Sequence, residues 1–284
     1  MSLSGIELIA GDSDLSGDIN VNLAGDKPSL AVNLQSTLLD LMPLSQGEAE
    51  AAETSAKTDK LFSDDPLVLD GLKQVNADVT FNAKTIQSTG ASLQDVKLKL
   101  ELTDGHLKVL PVTAGFAGSQ IEAKLDLDAR SEVAQLATQL QINGFKLNKV
   151  AALQDAISGG NTDVFVEATG QGDSVSALMA GLNGKAIAKV AESQIADGTL
   201  DILGADFVTE LVNLLNPFKK EKAGTELVCA VVNFNIRDGI AKADKGIAVR
   251  TGKMNIVGDG TINLKNEKID IGITPEGRTG IGVS

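Results

Sequence analysis

The chain contains no tryptophan and no tyrosine, and its only aromatic residues are eight phenylalanines. A transmembrane β-barrel carries aromatic girdles at both membrane interfaces, so this poverty counts against that fold. Carbohydrate and single-stranded nucleic-acid platforms stack their ligands on aromatic rings, and they lose ground for the same reason. A lone cysteine, Cys229, rules out an intramolecular disulfide. It lies in the apolar run 227–232, where a packed thiol is expected rather than a nucleophile. There is also one histidine, His106, next to Asp104-Gly105, where an exposed turn residue is expected. One His and one Cys this far apart cannot supply a zinc or copper site of the usual N/S type. Positive charge is in deficit as well: the net charge is −13, which argues against nucleic acid and against adsorption to anionic membranes. No run approaches the ~20 apolar residues that a spanning helix needs, and no signal peptide is visible.

What the chain has in abundance is alternation. Val96-Lys97-Leu98-Lys99-Leu100-Glu101-Leu102 places four apolar side chains on one face of a strand and three charges on the other. Asp104-Gly105 follows, a pair suited to a two-residue hairpin turn because both positions tolerate positive φ. Leu107 and Val109 resume the pattern, and Ile121, Leu125 and Leu127 continue it beside Glu122, Lys124, Asp126 and Asp128. Val96, Leu98, Leu100, Leu102, Leu107, Val109, Ile121, Leu125 and Leu127 are therefore the candidate apolar face. It is either the floor of a groove or a core closed against a second layer. Five Asp-Gly pairs, at positions 70, 104, 197, 238 and 259, are expected near strand ends.

The expected fold is mainly β: a long antiparallel meander of repeated amphipathic hairpins. Short helices are expected at about 147–157, 175–182 and 206–216. Residues 1–44 read as the end of one β unit, and the Ala-, Glu- and Ser-rich stretch 45–65 as a flexible linker. Residues 66–160 form a meander unit, and 161–284 a second β unit with helices and C-terminal hairpins. The apolar pattern of Leu15, Ile19, Val21, Leu30 and Leu34 recurs without a gap 106 residues later, at Ile121, Leu125, Leu127, Leu136 and Leu140. That registration points to a repeated hairpin.

No catalytic constellation emerges, and no cofactor is called for. The carboxylates fall on the polar half of strands or in turns. Asp12-Ser13-Asp14 and Asp126-Leu127-Asp128 do not continue into a full calcium loop, and the glycine pairs lack phosphate-loop spacing.

The ordered blocks Leu69-Asp70-Gly71-Leu72, Val79-Thr80-Phe81-Asn82-Ala83, Leu102-Thr103-Asp104-Gly105, Gly181-Leu182-Asn183-Gly184, Phe234-Asn235-Ile236-Arg237-Asp238-Gly239 and Gly258-Asp259-Gly260-Thr261-Ile262-Asn263-Leu264 resemble the C-terminal region of the AsmA family of Gram-negative envelope proteins. The resemblance implies a curved β-rich periplasmic body on an inner-membrane anchor that this chain lacks. It also implies a part in outer-membrane assembly and a likeness to bridge-like lipid transfer proteins. The expected partners are a phospholipid or another envelope lipid, and other envelope proteins. A scaffold with no ligand of its own is the alternative.

Overall fold

Period-two alternation can be satisfied only by strands, and strands leave their backbone groups to be paired by neighbours. The computed structural model describes residues 1–42, 60–88, 91–149, 153–154, 157–195, 225–252 and 254–277. The described residues build one open, curved sheet of sixteen strands. The first half comprises β1 (Ser2–Ala10), β2 (Ser13–Asn22), β3 (Ser29–Asp40), β4 (Asn76–Ser88), β5 (Ala91–Thr103), β6 (His106–Phe116), β7 (Ser119–Asp128) and β8 (Ala134–Lys146). Then come β9 (Ile157–Gly159), β10 (Asn161–Gly172), β11 (Asn183–Val190) and β12 (Ser193–Ile195). The last four are β13 (Thr225–Arg237), β14 (Ile240–Thr251), β15 (Met254–Asn263) and β16 (Lys268–Gly277). Spatial order follows chain order, except that the short β9 and β12 pair with each other and hang on β13.

The predicted mainly-β architecture and the amphipathic hairpins are present. The β2–β3 and β7–β8 hairpins share one register: Ile19 faces Val32, and Leu125 faces Thr138. Both residues of the second pair lie 106 positions beyond those of the first. Asp104-Gly105 and Asp238-Gly239 form tight turns with positive φ at both residues.

Several expectations need correction. β3 and β4 run parallel, not antiparallel, so the chain between them returns to the end of the sheet where β3 began. Asp259-Gly260 lies inside β15 rather than at a strand end; Asp259 there accepts a 2.5 Å hydrogen bond from the Lys245 N–H, within an irregular stretch of the β14–β15 ladder. Of the helix expected over 147–157, the described residues show a 3-10 turn, Leu147–Lys149, and Ile157 already belongs to β9, while 150–152, 155 and 156 lie outside the described residues. Positive φ at Gly159 and Gly160 turns the chain there. The helix expected over 175–182 is present as α1, Val175–Ala180, with Ser174 Oγ accepting the Ala177 N–H at 3.1 Å. The helix at 206–216 and the pair Asp197-Gly198 lie outside the described residues. So does most of the 45–65 linker; Leu61 and Phe62 near its end are held by hydrogen bonds from their N–H groups to the Glu267 carboxylate.

Cys229 is exposed. It alternates along β13 with half-buried Ala230, so the continuous apolar run did not imply two-sided burial. His106 starts β6, and its Nε2 lies 2.7 Å from Asp126 Oδ1 with the ring about three-quarters buried.

Candidate functional site: the apolar face

Residues directly opposite in a ladder project to the same side of the sheet, so a chain of register pairs traces a row of side chains. One such row crosses every strand of the main path. It starts with Leu3, Ile19, Val32, Val79, Leu100, Val109 and Leu125. It continues through Thr138, Ala168, Gly184, Ile236, Ala241, Ile262 and Ile269. No member is charged. At about 4.8 Å per strand, thirteen steps make an uncharged track on the order of 60 Å long.

Parallel rows widen the track. On one side lie Val21, Leu30, Ala77, Leu102, Leu107, Leu127 and Leu136. On the other lie Val112, Ala123, Leu140, Val166, Ala186 and Phe234, then Ala114, Ile121, Ile142, Val164, Ala188 and Val232. All nine residues of the candidate apolar face sit on this side of the sheet. Val96 and Leu102 are buried; Leu98, Leu100, Leu107, Val109, Ile121, Leu125 and Leu127 remain partly exposed.

The opposite face is charged and solvated. Lys124, Gln139, Glu167, Lys185, Asn235, Lys242, Thr261 and Asp270 form one of its rows. Lys99–Glu101 at 2.9 Å and Lys185–Glu167 at 3.2 Å are ion pairs on it. Such exposed pairs contribute little to stability and serve mainly to keep that face in water.

The track changes character along its length. From β2 to β8 its central row is half-exposed, whereas Ala168, Ile236 and Ala241 are 3, 7 and 4% exposed. Met179 of α1 and the following Leu182 pack on those three residues. The helix can lie there because Gly170 and Gly172 lack side chains: a Cβ on Gly172 would fall 2.4 Å from the Leu178 N atom. A second cluster, Ile195, Leu227, Val249 and Ile256, fills the other side of the same end. Periodicity alone could not show where the face is covered, because the cover over Ile236 and Ala241 comes from α1 and Leu182, distant in sequence.

The polar hollows have no comparable continuity. One, of about 510 Å³, is lined by residues including His106, Asp126, Asp128, Gln135, Thr169, Asn183 and Asp238. Its lining contains no serine or cysteine, and the partner of His106 there is the Asp126 carboxylate. Arg130 donates to Asp128 from its side chain and its backbone and holds that carboxyl well below the usual range. Among the described residues no group of three or more His, Cys, Asp or Glu is arranged to hold a metal. Among them, too, no helix is long and apolar enough to cross a membrane.

Fold and site together define an open β-sheet protein whose one broad feature is an uncharged face crossing all the main strands. The AsmA family profile matches residues 2–245. This chain belongs to the AsmA family. It is 26% identical over 290 aligned positions to the AsmA family protein YhjG of Escherichia coli K12, an alignment that takes in 94% of this chain and 41% of that relative. The chain thus spans less than half the length of the curated relative it matches. No solved structure matches it.

Proposed function

We propose that this chain is a section of a periplasmic, lipid-carrying envelope protein, and that its apolar face holds acyl chains on their way between membranes during outer-membrane assembly. The observation that carries the reading is the unbroken uncharged row across the sheet, still half-exposed from β2 to β8. A soluble protein rarely leaves so large an apolar surface uncovered unless something binds it. Acyl chains suit it because its rows are mostly Leu, Ile, Val and Ala and carry no charge, so recognition is by burial and not by a directional polar contact.

Native mass spectrometry of the detergent-free chain, after exposure to phosphatidylethanolamine–phosphatidylglycerol vesicles, tests this. Bound phospholipid at a reproducible stoichiometry is expected. A bare chain mass from a folded sample would contradict the reading.

The scaffold reading has one observation in its favour. Strand β1 is an outer strand of the described sheet, with Leu3, Leu8 and Ile9 at 51, 57 and 83% exposure. Such an edge can add a strand from another protein.

A further inference from the structure

We propose that the two long edges of the apolar face have different roles: residues 60–75 wall off one, and acyl chains enter across the other, at the β6–β7 turn. This rests on the lipid reading above and assigns the direction from which that face is loaded.

The wall is a strap laid across the strand ends. At one end the Leu61 and Phe62 N–H groups each donate to the Glu267 carboxylate at 2.8 Å, in the β15–β16 turn. Midway, the Leu67 N–H donates to the Asp173 carbonyl at 2.7 Å, and the Ser63 carbonyl accepts the Ser176 N–H at 3.0 Å. Past the 3-10 turn Asp70–Lys73, the Asn76 N–H reaches the Pro28 carbonyl at 2.9 Å, at the start of β3. Fifteen residues extend at most about 50 Å, and the nine strand steps from β4 to β15 cover about 43 Å. The strap therefore follows this edge with little slack. The edge it covers is also lined by charge: Lys27 pairs with Asp104 at 2.5 Å and Arg130 with Asp128. An acyl tail passing here would strip water from those ions.

Among the described residues no strap crosses the opposite edge between β5 and β8, and its one charge at a strand end there is the exposed Lys146 of β8. Its β6–β7 turn is Phe116-Ala117-Gly118-Ser119, uncharged, with the Phe116 ring stacked on Phe145 at 5.8 Å. Beyond β8, β9 and β12 cover that edge, with Ile195 buried against Leu227. From Ile121 to Leu127 the apolar rows span about 20 Å along the strand, against about 15 Å for half of a bilayer's hydrocarbon core. A chain laid along the strands, its headgroup in water beside Phe116, is covered over most of its length.

The absence of native tryptophan makes the test direct. Single tryptophans are placed on the floor (Leu125→Trp), at the open edge (Phe116→Trp) and in the strap (Leu72→Trp). Each variant, confirmed as folded by circular dichroism, is mixed with phosphatidylethanolamine–phosphatidylglycerol vesicles whose acyl chains carry bromine near the carbonyl or near the methyl end. Phe116→Trp is expected to lose emission chiefly to carbonyl-end bromine, and Leu72→Trp chiefly to methyl-end bromine. Adding Glu267→Ala, which frees one end of the strap, should raise carbonyl-end quenching at Leu72→Trp alone. Reversed or equal quenching at the two edges, with Leu125→Trp quenched, overturns the loading direction and leaves the lipid reading standing. An unquenched Leu125→Trp overturns both.

Discussion

Gly184 shows how a single residue can matter in a sheet this regular. It sits in the central apolar row with φ +154°, and a Cβ there would lie 2.0 Å from the Glu167 carbonyl oxygen. Gly184→Ala must shift backbone, and a destabilisation of about 3 kcal/mol or more is expected in denaturant unfolding. Gly272→Ala, whose added methyl would meet nothing within 4 Å, should stay within about 0.5 kcal/mol. Acid sensitivity is also set by individual residues. The Thr37 and Leu38 N–H groups donate to Asp14 and lower its pKa, and Arg130 lowers that of Asp128. A carboxyl depressed in the folded state contributes stability that is present above the unfolded-state pKa, about 3.9, and lost as pH falls through the folded value. Urea unfolding below pH 4 should therefore show stability falling with pH, and Asp14→Asn should flatten that slope.

At the scale of elements, much of the fold was legible. The alternation of residues 96–102 and 121–128 and the turn at Asp104-Gly105 became β5, β7 and the β5–β6 turn, because each depends only on neighbours in sequence. The 106-residue spacing likewise appeared as an identical register in β2–β3 and β7–β8. What could not be read depended on long-range placement. The parallel β3–β4 pairing is fixed by where the chain returns after residue 59, and Leu67 gives no sign of its bond to Asp173. Burial of Ile236 on β13 depends on a six-residue helix whose seat is two glycines on β10. The strap supplies a prediction at this scale. Glu267→Ala should speed hydrogen exchange at Leu61 and Phe62 while leaving the Leu100 and Leu125 amides in the sheet unchanged. Equal protection in the variant would mean that the carboxylate does not hold the strap.

For the whole molecule, sidedness is the organising property. One sheet carries charge on one face and an uncharged track on the other, and the track is covered toward β10–β15 and half-exposed toward β2–β8. The most direct test places the same charge on the two faces of a single strand. Leu125→Asp points into the track, and Lys124→Asp points away from it. Both chains would be incubated with vesicles containing radiolabelled phospholipid, separated from the vesicles by flotation, and counted for bound label. Lys124→Asp is expected to retain label like the unaltered chain, and Leu125→Asp to lose it while remaining folded. Equal retention by both, or no label on the unaltered chain, would contradict that expectation.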